Sequence, residues 1–212
     1  MPNYPIFLDL KGRRAVIIGA GPVALRKACS LLEADARLVV VAENIDNMLR
    51  LQNLGKNIEL IKSRYSKNYL AEATIVIAAT SDNRLNQKIY KDCQELEILC
   101  NVVDNPDLCD FFVPAVVRRG DLQVTIGTEG RCPAYAGHLR KKLEKIFTED
   151  HGRFLTELEA LRQCIIEDVP DPAERKALLG RLVDDESFKF FIENGPAAWR
   201  DRADKIIKEQ QS

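Results

Sequence analysis

The chain has 212 residues, of which 46% are hydrophobic and 30% are charged, and its formal net charge is −1. This size and composition are typical of a globular chain that buries one large core or two small ones. The balanced charge argues against a general nucleic-acid binder, and no apolar run approaches the roughly 20 residues that span a membrane.

Strand and helix signals alternate in the first half of the chain. Five almost continuous apolar runs predict strands, at 15–18, 38–42, 58–63, 74–80 and 97–103. Capping residues and apolar spacing predict helices, at 22–34, around 46–54 and at 83–96. Apolar strands that helices separate indicate a parallel sheet covered on both faces, so we predict a doubly wound α/β domain over residues 1–113.

The pattern changes after this domain. Residues 114–127 predict a β-hairpin that turns at Arg119-Gly120-Asp121, and residues 133–147 predict a helix with one apolar face. Segment 114–147 is too small for a core of its own, so we expect it to pack on the rest of the chain or on a second chain.

Residues 148–212 predict a helical domain. Helical periodicity runs over 151–168 and 172–183, and two short helices are predicted around Phe188 and Trp199, separated by Gly195-Pro196. Charge also differs between the parts, because 114–147 holds 7 Lys and Arg against 3 Asp and Glu, whereas 148–212 holds 10 against 15. We expect an anionic ligand at the basic middle segment, with a solvated helix face as the alternative.

The segment GAGPVA follows the first strand and opens the first helix. In this GxGxxA pattern, Gly19 permits a tight turn, Gly21 lets a pyrophosphate approach the backbone, and Ala24 allows close helix packing. A glycine turn without a ligand is the alternative. Glu43 ends the second strand, where a carboxylate accepts hydrogen bonds from ribose hydroxyls and repels a 2′-phosphate, which favours NAD over NADP. The predicted cofactor-binding residues are Gly19, Gly21, Pro22, Val23, Glu43, Asn44, Thr80 and Asn101.

Asp104 follows the fifth strand. Since ligands bind outside the carboxyl ends of parallel strands, this acid is expected on the cofactor side of the sheet. From the residues alone, a turn-capping role and a catalytic role both stay open, and Asp107 and Asp110 are predicted to be turn residues.

The cysteines and the N-terminus bear on location. Six cysteines without a CxxC pair are typical of reduced thiols, and the basic residues near the N-terminus follow the short apolar stretch, unlike a signal peptide. We therefore expect a cytoplasmic protein, and two histidines far from paired cysteines predict no metal site.

Three stretches together carry a family resemblance: GxGxVAxRKxxxLLxAxAxLxVVA, then NVVD, then FxxPAxxxRGxLxxxIxTxGxxP. With them the chain resembles, over essentially its whole length, the precorrin-2 dehydrogenases of siroheme synthesis, some of which are also sirohydrochlorin ferrochelatases. The resemblance implies a Rossmann-like NAD-binding domain at 1–113, a dimerisation segment at 114–147, a helical domain at 148–212 and an intertwined homodimer.

The resemblance also implies a reaction, in which precorrin-2 is oxidised to sirohydrochlorin by NAD. In some relatives Fe²⁺ or Co²⁺ then enters as a substrate. Asp104 matches the aspartate of NVVD and is implied as the catalytic residue. The substrate carries several carboxylates, so the basic middle segment supplies the predicted substrate residues Arg118, Arg119, Thr128, Arg131 and His138. Cys132 stands where the family usually has serine, so a more weakly hydrogen-bonding thiol replaces that hydroxyl.

Other functions stay open from the sequence. One is another Rossmann dehydrogenase with a small substrate, although no catalytic Tyr/Lys or His pair stands out. The second is a non-enzymatic NAD-sensing regulatory module, in which Asp104 would be dispensable. We expect a separate uroporphyrinogen methyltransferase to supply the substrate.

Overall fold

The computed structural model describes residues 3–45 and 57–210, and the chain forms two compact units, Met1–Val113 and Pro114–Ser212. The predicted helix around 46–54 lies outside the described residues. The predicted three-part division at residues 113 and 147 stays a prediction.

The first unit contains a sheet of five parallel strands in the order β3-β2-β1-β4-β5. The strands are β1 (Arg14–Ile18), β2 (Arg37–Ala42), β3 (Ile58–Lys62), β4 (Ile75–Ala78) and β5 (Leu99–Val102). In the central pairings, Val16 lies opposite Val39 of β2 and Val76 of β4. Each observed strand overlaps a predicted one, and the predicted doubly wound parallel sheet is confirmed.

Helices cover both faces of this sheet. Successive side chains of a strand point to opposite faces, so each strand contributes to both cores. The face that carries Ile17 packs against α1 (Pro22–Glu33), and the face that carries Val16 packs against α2 (Asn83–Glu95). Both strand side chains are fully buried, and burial of a Val or Ile side chain contributes about 1.5–3 kcal/mol. The apolar runs therefore form strands because both of their faces enter a core.

Two short 3₁₀ helices in the first unit were not predicted from the sequence. They span Lys67–Leu70 and Pro106–Leu108. Such turns have too few residues to show a hydrophobic period, so no pattern in the sequence indicates them.

The second unit begins with the predicted hairpin, which is confirmed as β6 (Ala115–Arg119) and β7 (Leu122–Ile126). Its turn has two central residues, and Gly120 has φ +57°, which suits the first central position of a tight hairpin turn. The hairpin packs on α3 (Pro133–Ile146) and α4 (Glu149–Asp168) within the same unit.

The helical part continues with α5 (Pro172–Leu182) and α6 (Asp185–Gln210). Gly195 interrupts α6 with φ +83°, so the two short helices predicted on either side of this residue are two segments of one bent run. Aromatic side chains fill the core, and the Nε1 of Trp199 donates to the Oγ of Ser187 at 2.8 Å. None of the helices in the described residues combines the length and apolar character needed to cross a membrane.

The helix α4 comes very close to the hairpin turn. A Cβ on Gly152 would lie 2.4 Å from the backbone oxygen of Arg119. The Arg119 side chain ties the same turn to the end of α3, because its Nε donates to the oxygen of Phe147 at 2.7 Å and one terminal nitrogen donates to that of Glu144 at 3.1 Å. A glycine at position 152 is therefore a condition for this packing.

We expect Gly152→Ala to lower the free energy of unfolding by about 1–3 kcal/mol, because the backbone of Arg119 must move to admit a methyl group. Gly180→Ala in α5 is the matched control, since nothing lies within 4 Å of a Cβ at that position. The control should raise stability by about 0.5–1 kcal/mol through helix propensity. Urea unfolding followed by circular dichroism measures both, and a stabilised Gly152→Ala variant would contradict the close approach.

Candidate functional site

The glycine turn after β1 lies where three strand ends meet. Gly19 has φ +115°, and a Cβ there would lie 2.3 Å from the carbonyl oxygen of Ala79, the residue after β4. The N–H of Gly19 donates to the oxygen of Val41 in β2 at 2.9 Å. The sheet itself therefore requires a residue without a side chain at this position.

Gly21 lies in different surroundings from Gly19. It is the N-cap of α1, no side chain caps this helix, and nothing lies within 4 Å of a Cβ built on it. Pro22 and Val23 follow in the first turn. A helix N-terminus offers backbone N–H groups and a partial positive charge to phosphate, and here the space in front of it is open. The turn therefore fits a dinucleotide pyrophosphate.

Glu43 follows β2 at the same edge of the sheet, and Asn44 is the next residue. The Glu43 side chain is 71% exposed, and its Oε1 lies 3.5 Å from the Nε of Arg64, which follows β3. Arg64 was not predicted as a site residue, because an isolated arginine shows no sequence pattern. Its only signal is its place just after the strand that neighbours β2.

Thr80 follows β4 in a turn that buried Asn86 holds. The Oγ1 of Thr80 donates to the Oδ1 of Asn86 at 2.7 Å, and the Nδ2 of Asn86 donates to the carbonyl oxygen of Thr80 at 3.1 Å. The N–H of Asp82 also donates to the Thr80 hydroxyl oxygen, at 3.2 Å. The hydroxyl therefore serves the turn, and its cofactor role stays a prediction. Sequence reasoning missed Asn86, although an asparagine on the apolar face of a predicted helix was a signal.

A loop covers the outer edge of β5, the last strand of the sheet. The Oδ2 of Asp110 accepts from the N–H of Cys100 at 2.8 Å, and the N–H of Asp110 donates to the Cys100 oxygen at the same distance. The Nδ2 of Asn101 donates to the oxygen of Phe111 at 2.9 Å. This pairing removes an open strand edge. Asn101 therefore anchors the loop, and its cofactor role stays a prediction.

The thiol of Cys109 belongs to the same loop. Burial raises the pKa of Cys109, which keeps the thiol protonated, and its single S–H has two acceptors within reach, the oxygens of Val102 at 3.3 Å and Asn105 at 3.2 Å from Sγ. On α1, burial lowers the pKa of Lys27, with Arg26 adding to the shift and Cys109 opposing it. Lys27 is thus a partly dehydrated cation that the sequence did not single out.

Asp104 marks the point where the chain leaves β5. The N–H of Val103 donates to the oxygen of Ala78 at 2.9 Å, so the chain stays beside β4 up to that residue. Asp104 then has φ +61° and an exposed side chain. Aspartate is among the few residues other than glycine that tolerate this left-handed backbone. The position has a structural reason for aspartate and also presents its carboxylate at the carboxyl edge of the sheet.

Arg119 differs from the other predicted substrate residues in the second unit. Besides its bonds to the end of α3, its Nε lies 3.3 Å from the Oε1 of Glu149, and its side chain is only 18% exposed. These contacts give Arg119 a structural role, and its substrate role stays a prediction.

Of the other four predicted substrate residues, three are exposed and Thr128 is half-buried. Arg118 is exposed, and the Oγ1 of Thr128 accepts from the N–H of Cys132 at 3.4 Å. Arg131 is 83% exposed, and His138 is exposed with its ring stacked on Tyr135 at a centroid distance of 6.4 Å. Their substrate role also stays a prediction. Within the described residues, no group of three or more His, Cys, Asp or Glu side chains is arranged to hold a metal ion.

A family whose description is putative NAD(P)-binding matches residues 6–115, more than half of the chain. The chain belongs to this NAD(P)-binding family. The match includes all five parallel strands and the glycine turn, so the prediction of a nicotinamide dinucleotide as cofactor is confirmed.

The curated relatives of this NAD(P)-binding chain include siroheme synthases. One from Psychrobacter arcticus is 39% identical over 153 residues, which are 72% of this chain and 28% of that protein. One from Thioalkalivibrio sulfidiphilus is 32% identical over 208 residues, which are 98% of this chain and 42% of that protein. The chain thus spans less than half the length of these relatives. Their names are those of enzymes, and they give no support to a regulatory module.

A solved structure shares the fold. SirC, a precorrin-2 dehydrogenase, superposes with a TM-score of 0.78 at 21% identity, over 96% of this chain and 100% of that chain. This likeness confirms the predicted fold class, including the C-terminal helical region, and the siroheme synthase relatives bear out the resemblance seen in the sequence.

We expect Gly21→Ala to weaken NADH binding by about tenfold or more, because the new methyl group would enter the open space in front of α1. The fold should persist, since a Cβ there meets no protein atom within 4 Å. Titration of NADH fluorescence measures the affinity, and thermal unfolding checks the fold. Ser30→Ala, an exposed change further along α1, is the control. Equal affinities of both variants would contradict a pyrophosphate site at Gly21.

Proposed function

We propose that this protein is an NAD-dependent precorrin-2 dehydrogenase, which forms sirohydrochlorin in siroheme biosynthesis. The observation that carries the proposal is the exposed Asp104 at the carboxyl edge of the parallel sheet, in a chain related to siroheme synthases. Such sheets bind ligands at this edge, at the point where the strand order changes direction.

The strand order supports the placement of the two halves of the cofactor. β1 lies in the centre, with β2 on one side and β4 and β5 on the other. The backbone at Gly21 and Val23 is proposed to hold the pyrophosphate, and Glu43 and Asn44 after β2 to meet the adenosine ribose. The nicotinamide half is then proposed to lie over β4 and β5, where the chain carries Thr80, Asp104 and, within β5, the buried Asn101.

Glu43 favours NAD over NADP in this arrangement. Its exposed carboxylate can accept hydrogen bonds from the two ribose hydroxyls, and it would repel a 2′-phosphate. Gly19 and Pro22 contribute indirectly, because Gly19 lets the turn approach β4 and Pro22 starts α1 in helical geometry.

Dehydrogenation removes a hydride and a proton from precorrin-2. When bound, NAD⁺ supplies the acceptor for the hydride. A carboxylate oxygen of Asp104 takes the accompanying proton as a general base. In the second activity that we propose, Fe²⁺ enters sirohydrochlorin as a substrate, and the same carboxylate accepts the two displaced pyrrole protons one after the other and passes each to water.

The second unit contributes to the proposal through its charge and its surface. We propose that Arg118, Thr128, Arg131 and His138 hold carboxylates of the tetrapyrrole, for which exposed guanidinium groups are well suited. We also propose that segment 114–147 forms a homodimer interface, since Tyr135 and Ile146 are 56% and 60% exposed on α3. The six free cysteines support a cytoplasmic location.

Anaerobic incubation with precorrin-2 and NAD⁺ tests the reaction. We expect NADH absorbance and the sirohydrochlorin spectrum to appear together, and failure to form NADH would exclude the dehydrogenase. Fe²⁺ or Co²⁺ is then added to the product. A sirohydrochlorin spectrum that stays unchanged would exclude the second activity and leave the dehydrogenase intact.

Asp104→Asn tests the catalytic residue better than alanine, because asparagine also tolerates φ +61° and removes only the base. We expect turnover to fall by about 100-fold or more while NADH binding persists. The control is Asp107→Asn, another exposed acid of the same loop. Full activity of Asp104→Asn would remove this residue from the mechanism.

A further inference from the structure

Two oppositely charged side chains meet where the adenosine ribose is proposed to bind. Glu43 follows β2 and Arg64 follows β3, and the Nε of Arg64 lies 3.5 Å from the Oε1 of Glu43. The side chains are 87% exposed at Arg64 and 71% exposed at Glu43. An ion pair this exposed contributes little to stability, typically about 0–1 kcal/mol. Because the pair lies at the ligand edge of the sheet, its effect is expected on cofactor binding and not on stability.

The backbone under Arg64 is held firmly at the carboxyl edge. Ala42 and Lys62 are partners in the parallel β2–β3 register, and the N–H of Ser63 donates to the Ala42 oxygen at 3.0 Å. The Oγ of Ser63 also donates to the carbonyl oxygen of Arg64 at 3.1 Å. On the other side, the hydroxyl of Tyr65 donates to the Oδ2 of Asp92 at 2.7 Å. The backbone of Arg64 is therefore held in place, while its guanidinium group is exposed to solvent.

We propose that Arg64 is a cofactor-specificity residue, which would bind a ribose 2′-phosphate and which Glu43 holds in an ion pair. The preference for NAD then depends on the Glu43–Arg64 pair and not on Glu43 alone. The inference rests on the dinucleotide site of the proposed function. An acidic residue at this strand end suits the ribose hydroxyls of NAD, and a nearby arginine suits the 2′-phosphate of NADP.

The charges decide which cofactor the pair accepts. With Glu43 ionised, the net charge of the pair is close to zero, so a 2′-phosphate meets a carboxylate and an arginine that is already engaged. If Glu43 is replaced by the neutral glutamine, the guanidinium becomes available, and its planar donors match phosphate oxygens in a bidentate geometry. Removal of the negative charge at position 43 should therefore shift the cofactor preference toward NADPH, because the cation that binds the phosphate is already present at Arg64.

Binding measurements on the 212-residue chain test this, independently of turnover. NADH and NADPH are titrated by fluorescence, and 5′-AMP and adenosine 2′,5′-bisphosphate by calorimetry. We expect Glu43→Gln to improve NADPH binding relative to NADH by about tenfold or more, because a charge-assisted contact to phosphate replaces a repulsion. The affinity for adenosine 2′,5′-bisphosphate should rise relative to that for 5′-AMP in the same way, and this rise should be smaller at high salt.

A second substitution, Arg64→Met, tests whether the improved NADPH binding of Glu43→Gln depends on Arg64. In Glu43→Gln/Arg64→Met the gain for NADPH should be lost, since methionine keeps most of the side-chain length and removes the cation. Glu43→Gln/Lys62→Met is the matched control, because it removes another exposed cation of the same strand end. This control should keep most of the gain.

The outcomes separate this inference from the proposed function. A double variant Glu43→Gln/Arg64→Met that binds NADPH as well as Glu43→Gln would overturn the role of Arg64. An Arg64→Met variant that loses NADH and NADPH equally would also overturn it, by placing Arg64 on the part that both cofactors share. If the wild-type protein binds neither dinucleotide, the proposed function fails as well.

Discussion

The close approach of the first turn to the end of β4 is the constraint on which the candidate site depends. The position of Gly19 has no room for a Cβ, because the carbonyl oxygen of Ala79 would lie 2.3 Å away. The N–H of Gly19 is bonded to β2 at the same time. The turn therefore joins the ends of three strands, and it places the N-terminus of α1 directly over the centre of the sheet. Gly21 has no such contact, which leaves the space that a pyrophosphate needs.

Many of the predicted and neighbouring polar side chains form hydrogen bonds that hold the fold together. Asn86 holds the turn after β4 through Thr80, and Asp110 pairs the loop after β5 with the backbone of that strand. In the second unit, the guanidinium of Arg119 donates to backbone oxygens at the end of α3 and forms an ion pair with Glu149. These bonds fix the backbone from which more exposed groups project. Glu43, Arg64 and Asp104 are charged side chains that remain exposed at the ligand edge of the first unit.

Asp104 shows how one residue can satisfy both requirements. Its left-handed backbone turns the chain out of β5, and aspartate tolerates that geometry better than most residues. The same turn presents the carboxylate beyond β4 and β5, on the side of the sheet that the nicotinamide half would occupy. A structural reason for the residue type therefore does not compete with a catalytic one. Only a substitution that keeps the backbone geometry and removes the base separates the two.

The sequence alone determined the parallel sheet, the hairpin, the helical region and the dinucleotide turn, because apolar runs, glycine positions and helix capping are local signals. It also placed Glu43 and Asp104 at the ligand edge, since each directly follows a strand. It could not show the pairing of Glu43 with Arg64 or of Thr80 with Asn86, because these partners meet only when neighbouring strands and helices are packed. Nor could it show that Arg119 is bonded to a helix end while Arg118 is exposed. Adjacent arginines look alike in a sequence, and the hairpin pleat, which points them to opposite sides, decides which one is largely covered.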